Sequence, residues 1–235
     1  DQSITKISNP TMLGKFGSEI SLLTGDTLLF KGLMLLHAAC ESFSKKQKNA
    51  ILNAVSSAFF EISKAEATEI TLKKRLDILP QEYLKVIKMK AAVAEAHTRI
   101  GAILGGGDVK SIETLSHYGR TFGILATIRD EFIDVLESNE LKNRLMNECT
   151  PLPMLYALQN SNTKKRIIQV LEKKKLNEKN LQKLTKIVLK SKETYELKNW
   201  MYRLIKNETK KLMFMTNTEK YKELETLLNM LIQNL

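Results

Sequence analysis

Little in this chain can serve as covalent or metal scaffolding. Its two cysteines, Cys40 and Cys149, stand far apart and in no paired spacing, which excludes a disulfide framework and a cysteine-rich zinc site. A reducing cytoplasm is the expected setting. His37, His97 and His117 share no ligand-like spacing, so each reads as a packing or surface residue. Prolines number four and glycines ten in 235 residues, and alternating strand patterns are almost missing, which argues against a sheet. No apolar run reaches the ~18 residues that cross a membrane, the nearest, 28–40, being broken by Lys31; no integral membrane span is expected. There is also no opening methionine and no signal-like leader, as the chain starts DQSITKISNPT, which reads as a fragment or a processed chain.

What remains is helical. Apolar residues recur at helical spacing over 28–40, 48–63, 81–104, 109–116, 119–136, 154–159, 164–175, 178–192, 194–213 and 217–233. The fold class is therefore all-α. Breaks fall at Asn9-Pro10, at Gly105-Gly106-Gly107-Asp108 and at Pro151-Leu152-Pro153. The triple glycine follows a helix and lacks the Lys-Ser/Thr sequel of a phosphate loop, so it reads as a helix C-cap and turn. The formal net charge is +11, and it is uneven. Residues 164–192 hold eleven Lys and Arg against Glu172 and Glu178. A basic surface of that kind attracts nucleic acid or anionic lipid. Yet no aromatic stands there to stack on bases, and lysines interleaved with Ile168, Leu171, Leu181 and Leu184 look like wet faces of amphipathic helices. No nucleic-acid partner is expected.

One stretch breaks the habit of dispersed charge. In IRDEFIDV, residues 128–135, Asp130 and Asp134 share a helix face and Glu131 lies beside them. Ile128, Phe132 and Val135 make an apolar stripe, so the carboxylates are either its solvated back or a store of repulsion for a hard cation.

Six segments taken together decide how that cluster is read: NPTMLGKFG (9–17), LLTGDTLLFKGLMLL (22–36), QEYLKVIKMKAA (81–92), RIGAILGGGD (99–108), YGRTFGILATIRDEFIDV (118–135) and PLPMLYAL (151–158). In order and spacing they resemble the trans-isoprenyl diphosphate synthases, also called the polyprenyl synthetase family, from residue 1 to about 158; beyond that only helical character persists. The resemblance implies a single isoprenoid-synthase bundle over 1–235, lacking its N-terminal helices, with antiparallel helices around a central apolar cavity. It implies a short-chain prenyltransferase, making geranylgeranyl or farnesyl diphosphate from isopentenyl diphosphate and an allylic diphosphate, and a homodimer joined through helices within residues 20–60. The alternatives are a regulatory subunit of a heteromeric synthase and a basic nucleic-acid-binding module.

Residue roles follow by the same resemblance. Asp130, Glu131 and Asp134 stand where the second Asp-Asp-x-x-Asp motif lies, with Glu in its middle place, and Asp1 stands at the last aspartate of the first; all four are expected magnesium ligands. Lys90 matches the lysine of a Lys-Thr pair whose threonine is Ala91 here, and Lys142 matches the lysine beyond the second motif. With Asp130 these two are the expected catalytic groups. Lys6, Lys90, Lys142 and Thr127 are the expected substrate contacts. Ile7 replaces an arginine, Thr127 a glutamine and Cys149 a further lysine. Glu66 and Glu69, one turn apart, resemble a Gly-Gln-x-x-Asp element or form a plain solvated pair. Phe30 and Phe122 read as core residues, or as the lining of a tail pocket.

Overall fold

The computed structural model describes residues 4–6, 9–173, 175–213, 218–233 and 235. The chain forms two compact units, residues 1–52 and 53–235. In the first, a two-residue antiparallel pair, β1 (Thr5–Lys6) with β2 (Asn9–Pro10), precedes α1 (Met12–Ala39). Thr11 caps α1 by accepting the Gly14 N–H at 3.0 Å. Gly17, at φ 81°, kinks it, a conformation open to glycine alone at no cost. No residue of α1 is buried. Its length and composition match those of a membrane span, because the helix begins sixteen residues before the apolar run at 28 and gathers Met12, Leu13, Phe16, Ile20, Leu22 and Leu23. Core helices of water-soluble proteins and N-terminal signal sequences meet the same criterion.

Helix α2 (Lys45–Leu72) leads from the first unit into the second. There follow α3 (Pro80–Lys90), α4 (Ala92–Leu104), α5 (Val109–Leu136), α6 (Ser138–Asn147), α7 (Leu152–Ala157), α8 (Ser161–Leu171), α9 (Glu178–Leu189), α10 (Lys192–Leu212) and α11 (Thr218–Met230). The all-α reading holds, with the short β1–β2 pair its one exception among the described residues. The boundaries show three differences. Residues 81–104 form two helices because the chain breaks at Ala91. Residues 109–136 form one helix straight through Gly119. And α6 falls where few apolar residues, Leu141 and Leu145 among them, mark the periodicity. The turn expected at the triple glycine is there: the Gly105 and Gly107 N–H groups donate to Gly101 and Ala102, and Gly106 takes φ 70°.

Helix α5 is the central strut. Its two glycines in YGRTFG are packing devices rather than breaks. A Cβ on Gly119 would lie 2.1 Å from Thr98 Oγ1 and 2.5 Å from the Ala94 carbonyl, and one on Gly123 would lie 2.9 Å from Ala91. Removing both side chains lets α4 and α5 approach closely. Arg120, between them, holds Glu61 of α2, Glu95 of α4 and the Lys88 carbonyl of α3, so one guanidinium ties four helices together. Behind α5, Leu125, Ile128, Phe132 and Val135 join Leu141, Leu152, Leu155, Leu184, Leu197 and Met201 in one core.

Candidate functional site

The second turn from the end of α5 presents its three acids to three different environments. Ile128, Phe132 and Val135 are buried, the apolar stripe expected of them. Glu131 belongs to that same stripe, three residues after Ile128 and four before Val135, and only 4% of it is exposed. Asp134 is half-buried and Asp130 is exposed.

A buried carboxylate requires partners, and a buried arginine of α6 supplies them. The Arg144 guanidinium donates to Glu131 at 3.0 Å, to Asp134 Oδ2 at 2.8 Å, to the Tyr83 hydroxyl at 3.0 Å and to the Cys149 carbonyl at 3.0 Å. Glu131 Oε2 also accepts the Leu152 N–H at 2.8 Å. Glu148 stands 3.5 Å from the same guanidinium. The Tyr83 hydroxyl shares its one proton between Glu69 at 2.8 Å and Glu131 at 3.1 Å, which carries the network from α5 across α3 to α2.

At the α2 end Lys90 takes over. Its ammonium is hydrogen-bonded to Glu69 and lies 3.1 Å from Glu66. Glu69 is largely interior, its side chain 15% exposed against 56% for Glu66, so the two are no plain solvated pair. Cys149 Sγ donates to the Glu69 carbonyl at 3.3 Å.

The electrostatics are lopsided. Among the described residues, Glu66, Glu69, Glu131, Asp134 and Glu148 pair with two cations, Lys90 and Arg144. Burial pushes the Asp134 carboxyl up to about 6, with the charges of Glu131 and Glu140 adding to it and Arg144 opposing. Glu69 differs: burial works against its charge, but the hydrogen bond and charge of Lys90 more than offset that and hold it below the usual range. Burial and the Glu69 charge push the Cys149 thiol up to about 12, so it is inert as a nucleophile at neutral pH.

Lys90 and the acid triplet thus meet in one network. Lys142 does not join it. It stands exposed on α6, and Arg144, two residues on and so on another side of the helix, reaches the acids instead. Thr127 returns its hydroxyl to the Gly123 carbonyl of its own helix at 2.9 Å. Asp1 and Ile7 lie outside the described residues, and of Lys6 only the backbone is described. Phe122 packs against the core and beside Tyr118, as expected, but Phe30 is 70% exposed and is no core residue of this chain. Sequence reasoning missed Arg144 and Tyr83. The one legible signal was Glu131 itself, placed by its spacing on the apolar side and therefore in need of a cation.

Among the described residues no three His, Cys, Asp or Glu side chains converge on a metal position. The donor chemistry still fits magnesium, which typically takes one or two carboxylates and completes its shell with water and substrate phosphate. Asp130, exposed, and Asp134, half-buried, are the acids of α5 that solvent can reach for that purpose. Arg144 occupies only Oδ2 of Asp134, whereas both oxygens of Glu131 are committed to protein donors.

The family model described as Polyprenyl synthetase matches residues 1–188. The chain is 29% identical over 141 residues to a short chain isoprenyl diphosphate synthase of Methanothermobacter thermautotrophicus, covering 60% of this chain and 42% of that protein. It is 29% identical over 134 residues to a geranylgeranyl diphosphate synthase of Sulfolobus acidocaldarius, covering 57% and 41%. The matches thus span about two fifths of the length of these curated relatives. In fold it superposes on the crystal structure of a geranylgeranyl pyrophosphate synthetase from Pyrococcus horikoshii with a TM-score of 0.83 at 20% identity, covering 99% of this chain and 72% of that one.

Proposed function

Because this chain belongs to the polyprenyl synthetase family, we propose that it contributes the second acidic half of a site joining isopentenyl diphosphate to an allylic diphosphate, giving a short-chain prenyl diphosphate. The observation that carries this reading is the excess of carboxylate around Arg144 and Lys90 at the end of α5. A site with five carboxylates and two cations repels a diphosphate on its own and attracts divalent metal, so the substrate enters as a metal complex. Magnesium held there by Asp130 and Asp134 would neutralise the diphosphate and stabilise the charge that develops as the allylic carbon–oxygen bond breaks.

The protein's own residues do the positioning. Arg144 fixes Glu131 and Asp134, pins α6 to α5, and orients the Asp134 oxygen it does not bind. Tyr83 and Glu69 brace the far side. Lys90 stands beside its carboxylates as the cation nearest to hand for a diphosphate oxygen, and Thr127 sits one turn before Asp130 on the same helix. Lys142 and Lys6 are the remaining candidates for substrate contact, and Asp1 the candidate ligand from the first acidic motif. Residues 1–235 act as one isoprenoid-synthase domain in a reducing cytoplasm. A homodimer accounts for α1, where Leu22, Leu23, Phe30 and Met34 are each at least 63% exposed and a second copy would bury them.

Incubating the whole protein with labelled isopentenyl diphosphate, an allylic diphosphate and magnesium tests the reading. Chain elongation that stops on chelation is the expected result. A folded dimer with no turnover alone overturns the catalytic reading and leaves the regulatory subunit.

A further inference from the structure

The basic stretch of the sequence folds into something more specific than the wet face of a helix. Lys179, Lys183, Lys186 and Lys190 follow one another along α9 at spacings of four, three and four residues, which places them on one face. The opposite face, Leu181, Leu184, Ile187 and Val188, is buried. Like charges at these spacings repel, and among the described residues no carboxylate pairs with them. Among the described residues Arg166, Lys183, Lys186 and Lys190 make no ion pair, while Lys90, Arg120 and Arg144 each hold two or more acids.

The unpaired cations also converge on a hollow. Arg166 of α8 with Lys183, Lys186 and Lys190 line a concavity of about 510 Å³, joined at the start of α10 by Lys192, which stands 3.7 Å from Glu196. Thr163, with the capping residues Asn160 and Ser191, supplies polar lining, so the positive ends of two helices open on the same space. Its one acid, Glu193, accepts the Asn160 amide at 3.0 Å. Lys183 and Lys186 form a shared wall with a second hollow of about 680 Å³, which Lys173 and Lys179 also line. Both volumes lie in the range of small-ligand pockets. No aromatic residue lines either hollow, so nothing there would stack a base.

We propose that the hollow between α8, α9 and the start of α10 binds a compact phosphate-rich anion, a free di- or triphosphate, without metal. Cations that face one space rather than one plane suit several negative charges held within one small molecule. The chemistry is the inverse of the acidic site: there a diphosphate needs a divalent ion between itself and the protein, and here lysine and arginine meet it directly.

The test uses inorganic triphosphate titrated calorimetrically into the whole protein at low salt in the presence of EDTA, which silences any magnesium-dependent site. Binding near one per chain is expected. It should weaken at least tenfold in the triple variant Lys183→Gln/Lys186→Gln/Lys190→Gln and hold in a control with Lys64→Gln/Lys110→Gln/Lys222→Gln, exposed lysines elsewhere. All six side chains are exposed, so circular dichroism should be unchanged in both variants. Absence of binding overturns the proposal, as does equal loss in both variants, which would mean unspecific attraction. Binding instead to phosphatidylcholine vesicles doped with phosphatidylserine, lost in the first variant and without any uptake of triphosphate, also overturns it and makes this face a membrane contact. None of these outcomes depends on whether the protein transfers prenyl groups.

Discussion

The end of α5 and the outer face of α9 pose the same problem in the sequence and solve it in opposite ways. Each concentrates like charge at helical spacing. On α5 the middle acid is turned inward and Arg144, Tyr83 and a backbone N–H are gathered around it; on α9 the lysines stay outside, and among the described residues no acid pairs with them. An interior cluster must bring its counter-charge with it, because a lone buried ion costs several kcal/mol. An exposed one can leave its charge uncompensated, since water and salt screen it. The first arrangement is therefore rigid and structural as well as chemical. The second is free to take a ligand.

The sharpest way to break this contrast is to remove Arg144. Arg144→Ala would strand Glu131, whose side chain is 5% exposed, together with half-buried Asp134, and the loss of one partner of a buried pair typically costs ~3–5 kcal/mol. Chemical denaturation should show that loss, with Arg144→Lys recovering part of it, because an ammonium cannot reproduce the fork. A change below about 1 kcal/mol would mean the network is ornamental.

Next in size is Asp130→Ala. Asp130 is exposed, and an exposed charge contributes far less than a buried pair, so melting should move much less than in Arg144→Ala. Magnesium-dependent turnover should nevertheless fall at least about a hundredfold if the residue carries metal. Normal turnover would remove Asp130 from the site and leave Asp134 as the sole candidate ligand on α5. A drop in stability as large as that of Arg144→Ala would instead place Asp130 inside the structural network.

Smaller again is Gly119→Ala. Its Cβ would meet the Ala94 carbonyl at 2.5 Å, backbone that cannot swing aside, so α4 and α5 must part. Overpacking of this kind costs ~1–3 kcal/mol, and Gly123→Ala, with its nearest contact at 2.9 Å, should cost less. Reversal of that order in thermal denaturation would show that the helices slide rather than separate.

The sequence makes most of the helices legible because their apolar stripes repeat over many turns: α5, α8, α9 and α10 stand close to where the spacing puts them. It hides α6, whose ten residues are mostly polar, and it misplaces a break at Gly119, because a glycine removed for close packing and one placed for a turn look alike until the neighbouring helix is in view. The site is half legible. Asp130, Glu131 and Asp134 are visible as a repelling group, and Lys90 as a cation on an apolar face. Arg144 is not, since its partners lie ten and thirteen residues back and sixty-one residues back at Tyr83, separations that no local pattern records. Lys142 looked the better match because resemblance aligns residue types, whereas reach depends on which side of α6 a residue occupies.

The smallest expected effect tests the other half of the contrast. Replacing Lys186 by Gln removes one charge from a stripe whose members repel at three- and four-residue spacing, so it should raise Tm by about a degree, where truncation on the acidic side lowers it. Added salt should narrow the difference, because screening does for the wild type what the substitution does for the variant. A lower Tm in Lys186→Gln would mean that the lysine's stem covers apolar surface worth more than the repulsion it causes. The stripe would then be a packing feature first, and its open charge a consequence rather than a purpose.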